Sequence, residues 1–193
     1  VRVLLSGAAI AITFAAFLPY IHSIRQGRTR PHLFSWLIWG STTLLVFLAQ
    51  RAGGAGAGAW PIGISALITF SIAWLANAHR PDRAITTSDW LFLTGAASAL
   101  PLWFLTADPL WAVAILTLVD LLGFGPTLRR AWTHPQQERI SFFALFVLRN
   151  LLVLLALERV TLTTALFPAA VGLACGGVVL LLLWRRRPRG LPE

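Results

Sequence analysis

The stretch "LVDLLGFGPTLRRAW", Leu118–Trp132, decides how this chain is read. It sets one carboxylate, Asp120, inside an apolar run, then closes that run with Phe124-Gly125-Pro126 and two arginines. A helix on the surface of a soluble protein gathers its polar groups along one face. Here the acid has apolar neighbours in both directions, and the basic residues wait at the end of the run. That order suits a segment that crosses lipid, with its charge at mid-depth.

Six more apolar blocks share this character. In chain order the seven are about Val3–Ile24, Leu33–Gln50, Pro61–Asn77, Asp89–Leu105, Pro109–Ala131, Ser141–Leu157 and Leu162–Trp184. At 1.5 Å per residue most reach about 25–35 Å, close to the hydrocarbon thickness of a bilayer. Only helices satisfy their backbone groups within one segment in lipid, so the blocks read as seven transmembrane helices of an all-α membrane protein. With 57% hydrophobic and 12% charged residues, the chain has too little polar surface for a soluble domain of 193 residues. Asp108-Pro109 offers an N-cap acid before an N1 proline, and Thr86-x-x-Asp89 a capping-box variant for the fourth block. The glycine-rich stretch Gly53–Gly58 reads as a flexible connector.

The net charge of +9 comes entirely from arginine, since there is no lysine. In a soluble chain that balance would point to nucleic acid. Here the arginines sit in short loops, where they set topology, and no nucleic-acid partner is expected. Twelve (Arg25, Arg28, Arg30, Arg80, Arg83, Arg129, Arg130, Arg139, Arg185, Arg186, Arg187 and Arg189) fall on one side and three (Arg2, Arg51 and Arg159) on the other. The positive-inside rule then places the N-terminus outside and the C-terminus in the cytoplasm, across a plasma (inner) membrane. The single cysteine, Cys175, reads as a small packing residue within an apolar block.

A shift of 107 positions lays the chain on itself. Phe17-Leu18-Pro19 falls on Phe124-Gly125-Pro126, Leu44–Ala49 on Leu151–Ala156, and Trp60-Pro61 on Phe167-Pro168. The two proline pairs carry more weight than the leucines, because a proline in a membrane helix has a structural reason. The shift maps blocks one, two and three on five, six and seven. An odd linker helix then makes the two triplets run parallel, about an axis along the membrane normal. The expected layout is a first three-helix bundle over residues 1–78, a linker helix with its loops over 79–108, a second bundle over 109–184 and a basic tail over 185–193.

This layout resembles the SWEET and PQ-loop superfamily of seven-helix membrane transporters. "LPYIHSIRQGRTRPHLFSW" and "GPTLRRAWTHPQQERISFF" are similar to its element of helix, basic loop and helix, with a proline near the end of the first helix. Tyr20 and Thr127 follow those prolines where the family carries glutamine. The resemblance implies a small-solute carrier whose bundles rock on proline hinges, here Pro19, Pro126, Pro61 and Pro168, around a solute at mid-membrane.

Asp120 and Arg149 lie at similar depth on consecutive helices. An ionised residue at mid-membrane costs about 2.5–3.5 kcal/mol on insertion scales, so an Asp120–Arg149 ion pair is expected. The pair reads either as a structural lock between two helices or as part of a solute or proton path. Asn150 adjoins Arg149, and the counterparts of the three are hydroxyls, Thr13, Thr42 and Thr43. Trp36 and Trp39 share a helix face, with Phe143 and Phe146 as counterparts. In the family resembled, aromatics here flank the solute, so Trp39 and Phe146 join the candidate path. Trp60, Trp90, Trp111, Trp132 and Trp184 read as an interfacial belt. No HExxH, P-loop, GxSxG or paired catalytic carboxylates occur, and His22, His32, His79 and His134 have no ligand spacing. Neither an enzyme, a metal nor a cofactor is therefore expected. The expected partners are the lipid bilayer and a small-molecule solute, with a homodimer left open. The competing reading is a membrane scaffold or accessory subunit that transports nothing.

Overall fold

The computed structural model describes residues 1–28, 31–78 and 87–186. Arg30, His79, Arg80, Arg83, the capping Thr86, Arg187 and Arg189 lie outside the described residues. The described chain is all-helical. Its helices are α1 (Arg2–Arg25), α2 (Leu33–Ala52), α3 (Trp60–Ala78), α4 (Thr87–Thr106), α5 (Pro109–Gly123), α6 (Gly125–Thr133), α7 (Ile140–Ala156) and α8 (Leu162–Arg185). Short 3-10 turns cover Gly56–Ala59 and Pro135–Gln137.

Five spans are long and apolar enough to cross a membrane: Arg2–Arg25, Leu33–Ala52, Gly56–Ala78, Pro109–Thr133 and Leu162–Arg185. Two further apolar helices, Trp90–Thr106 and Ile140–Ala156, are shorter. Large apolar side chains such as Leu67, Trp74, Phe104, Leu173 and Leu180 point outward, away from any protein neighbour. That surface is consistent with a multi-pass membrane protein. The five tryptophans read as a belt are each about half exposed.

The helix ends repeat the spacing found in the sequence. Arg2 and Pro109 each start a helix, as do Leu33 and Ile140, while Ala78 and Arg185 each end one. Within each pair the numbers differ by 107. The fifth span is interrupted at Phe124, two residues before Pro126, whereas α1 runs on through Pro19. Gly125 stands in the second segment where Leu18 stands in the first, and a glycine beside a proline weakens a helix more than a leucine does. Asp108 caps α5 as its sequence promised, accepting from the Leu110 amide at 2.9 Å.

Packing follows a regular order. α3 lies between α1 and α2, and α8 lies between α5 and α7. α1 packs on α7, α2 packs on α5, and α4 leans on α5 and more lightly on α2. Helix α3 is the most enclosed, with Ile62, Gly63, Ala66, Thr69, Ile72, Ala73 and Ala76 buried. Glycines let α2 and α3 approach closely. A Cβ on Gly40 would lie 2.8 Å from the Phe70 ring, and one on Gly63 would lie 2.9 Å from the Phe47 ring. The rings are reciprocal knobs, each helix giving one and receiving one.

The glycine-rich stretch differs from the expected flexible connector. Ala55 and Ala59 are fully buried against Leu157. The Glu158 amide donates to the Ala55 carbonyl at 3.1 Å, and the Ala57 amide donates to Glu158 Oε1, also at 3.1 Å. Gly56 sits at φ +58, and a Cβ there would fall 1.9 Å from the Glu158 carboxyl carbon. The glycines are there because the segment docks on the turn between α7 and α8, with no room for side chains.

Candidate functional site

The site is built from prolines and hydroxyls before any charge enters. Pro61 has no N–H, so the carbonyl four residues earlier, on Ala57, takes the Trp60 amide in place of an i+4 donor. Ser6 of α1 adds a second donor, its Oγ donating at 2.8 Å. Pro168 likewise leaves the Thr164 carbonyl without its donor, and Gln50 of α2 fills that place through Nε2 at 2.8 Å. At both matched prolines a side chain of a neighbouring helix donates to the carbonyl four residues before the proline. Among the described residues, Oε1 of the buried Gln50 has no hydrogen-bond partner.

Arg149 of α7 is 2% exposed. Its Nη2 donates to the Pro61 carbonyl at 2.9 Å and to Ser65 Oγ at 2.8 Å, both on α3. Its Nη1 donates to Asn150 Oδ1 at 2.9 Å, and its Nε points at Thr13 Oγ1 of α1 at 3.4 Å. Each side-chain acceptor is held by its own donor. Thr13 Oγ1 donates to the Ala9 carbonyl, Ser65 Oγ to Pro61, and Asn150 Nδ2 to Phe146, each one turn back along its helix. With those protons committed, the lone pairs face the guanidinium. The guanidinium also stands over the Phe146 ring, 5.8 Å from its centre.

The expected Asp120–Arg149 ion pair is not formed. Among the described residues, every hydrogen bond of Arg149 goes to a neutral group, and Asp120 makes none. The reason lies in the packing order. Consecutive helices were expected to touch, yet α8 stands between α5 and α7. Cys175 of α8 is buried, and Asp120 and Arg149 feel each other only at longer range than a salt bridge. Asp120 is half buried.

Aromatic rings line the same seam. Phe17 of α1 meets Trp36 at 6.5 Å, Phe142 at 6.3 Å and Phe146 at 5.7 Å between ring centres. Tyr20 lies 5.2 Å from Trp36, which meets Trp39 edge-on at 5.4 Å. The row runs from α2 through α1 to α7 and ends beneath Arg149. At its other end, the Trp39 indole lies close to Gly123 of α5.

The structure therefore brings Thr13, Arg149, Asn150 and Phe146 together, and sets Trp39 at the far end of the aromatic row. Thr42 is buried on α2, where its hydroxyl donates to the Trp39 carbonyl, and Thr43 is half buried beside it. Pro19 lies within α1 and Pro126 in the first turn of α6. Sequence reasoning missed Ser65, Ser6, Gln50 and Phe17. A serine four residues after Pro61 carried a usable signal, since both its hydroxyl and the proline carbonyl fall on one helix face. Compared with family models, with curated proteins and with solved structures, the chain matches none.

Proposed function

We propose that this chain is an integral membrane carrier that moves a small polar solute by alternating access between two three-helix bundles. The bundles are α1 to α3 and α5 to α8, with α5 and α6 counted as one interrupted helix, α4 as the linker, and Pro19, Pro126, Pro61 and Pro168 as the hinges. The shared offset of the helix ends supports the repeat. So does the packing, because exchanging the halves turns the α1–α7 contact into the α5–α2 contact. In this reading the C-terminus faces the cytoplasm of a plasma (inner) membrane.

One observation carries the proposal. Arg149 is a buried cation on one bundle, and three of its four acceptors, Thr13, Pro61 and Ser65, belong to the other. A charge at the seam of two bodies, with a half-buried carboxylate in electrostatic reach of it, suits a path for polar solutes and fits poorly with a passive wall. The scaffold reading also has an observation in its favour: the hydrogen bonds of Arg149 clamp α7 to α1 and α3.

Asp120 separates the two. It makes no hydrogen bond among the described residues, so Asp120→Asn is expected to leave the thermal midpoint in detergent unchanged. In proteoliposomes screened with a panel of amino acids, sugars and small carboxylates, the same variant is expected to cut uptake about tenfold or more. Full uptake by Asp120→Asn, or no uptake of any solute by the unaltered chain, would count for the scaffold.

A further inference from the structure

The end of α8 carries a cluster that the carrier reading does not use. Arg185 lies over the Trp132 ring at 5.0 Å and the Trp184 ring at 5.9 Å, and the two rings are 5.6 Å apart. Its Nε donates to the Trp132 carbonyl at 3.1 Å. Among the described residues neither of its terminal nitrogens donates a hydrogen bond, so the outer edge of the guanidinium is free. Trp132 and Trp184 are 51% and 53% exposed. One turn before Trp132 on α6 stands Arg129, exposed and without a side-chain partner among the described residues.

The cluster is held in place. Arg186 donates from Nε to the Pro135 carbonyl at 3.0 Å and from Nη2 to the carbonyls of Pro135 and Glu138. These bonds pin the segment after α6 against α8. Ala131 is fully buried between them. Arg185 is thus presented on a rigid aromatic support and keeps donors to spare.

An apolar track leads away from it. Leu173, Gly177, Leu180 and Trp184 recur at helical spacing on one face of α8. Leu173 and Leu180 are 78% and 69% exposed, and a Cβ on Gly177 would meet nothing within 4 Å. Leu128 of α6 is exposed on the same short helix as Arg129 and Trp132. A molecule that fits both parts has an anionic head for the arginines and a hydrocarbon tail for the leucine face. A free phosphate would satisfy only the first.

We propose that Arg129, Trp132, Trp184 and Arg185 bind the phosphate headgroup of an anionic phospholipid, whose acyl chain lies along Leu180, Gly177 and Leu173. Selectivity comes from the charge, and orientation from the stacked guanidinium, whose free edge presents two donors to phosphate oxygens. The site is independent of whether the chain transports anything.

The test uses the full chain purified in detergent and analysed by native mass spectrometry with added lipid. Phosphatidylglycerol is expected to stay bound to the unaltered protein at concentrations where phosphatidylcholine does not. The Arg129→Gln, Arg185→Gln double variant is expected to bind phosphatidylglycerol about thirtyfold more weakly. Arg185→Lys keeps the charge and loses the planar stack, and is expected to fall between the two. Arg51→Gln is the control: Arg51 stacks on Trp60 at 5.7 Å near the opposite end of the bundle and is expected to have no effect. Equal binding of the two lipids would reduce the tryptophans to an ordinary interfacial belt and overturn the proposal. Competition by inorganic phosphate as strong as that by the lipid would overturn it too, as would a loss in Arg51→Gln equal to that in the double variant.

Discussion

Arg149 is stabilised by geometry that its neighbours fix in advance. A lone ion at mid-membrane costs about 2.5–3.5 kcal/mol, and a hydrogen bond to a charged group returns about 1.5–3 kcal/mol. Three bonds of 2.8–2.9 Å are therefore enough to keep the guanidinium buried without a contact carboxylate. The energy is local to those contacts, and this can be measured. In a double-mutant cycle on thermal or denaturant unfolding, Ser65→Ala and Arg149→Gln are expected to couple by about 1–2 kcal/mol. The cycle of Asp120→Asn with Arg149→Gln is expected to give a smaller value, because no hydrogen bond joins the pair. A larger coupling to Asp120 would mean that the ion pair forms after all. Counting along the sequence puts both charges near the middle of their apolar blocks. It could not show rotation about the helix axis or which helix stands between, and those decide contact.

At the scale of the element, most of the fold was legible and the packing was not. Long apolar blocks, a capping aspartate and a constant offset gave all seven helical spans and most ends within a few residues. The glycines between α2 and α3 read as a linker because small residues look alike whether they bend freely or lie under a neighbour. Gly56 is of the second kind, and only the position of Glu158 reveals it. For the prolines the sequence shows a missing N–H but not the side chain that donates to the carbonyl four residues earlier. Pro61 and Ser6 make that donation testable. Ser6→Ala leaves the Ala57 carbonyl with the Trp60 amide alone and is expected to lower stability by about 1 kcal/mol. Pro61→Ala offers that carbonyl a further amide donor, so in that background Ser6→Ala is expected to cost less. Additive losses in the unfolding midpoints would show that Ser6 acts through something other than the Ala57 carbonyl. A second test is Gly63→Ala, whose methyl must displace the Phe47 ring, with an expected cost of about 1–3 kcal/mol in the same measurement.

At the scale of the whole molecule, two of the zones that join α1–α3 to α5–α8 bear on the proposed rocking. One is the buried seam, where Arg149 of α7 reaches Thr13, Pro61 and Ser65. The other is the end at which the turn before α3 meets the turn after α7, through the Ala57 amide on Glu158 and the Glu158 amide on Ala55. Rocking bundles must part at one end while the other stays closed, so a carrier cannot keep this second zone shut through its cycle. The single cysteine is buried, which makes a cross-link easy to read. In a Cys175→Ala background, Ala57→Cys with Glu158→Cys is expected to form an intramolecular disulfide under mild oxidation, scored by mass and by the loss of two free thiols. Uptake into proteoliposomes is expected to stop in the oxidised protein and to return on reduction, while each single cysteine variant is unaffected by oxidation. If the cross-linked chain moves solute at the rate of the reduced one, the two turns never separate, and the rocking of the halves is the wrong mechanism.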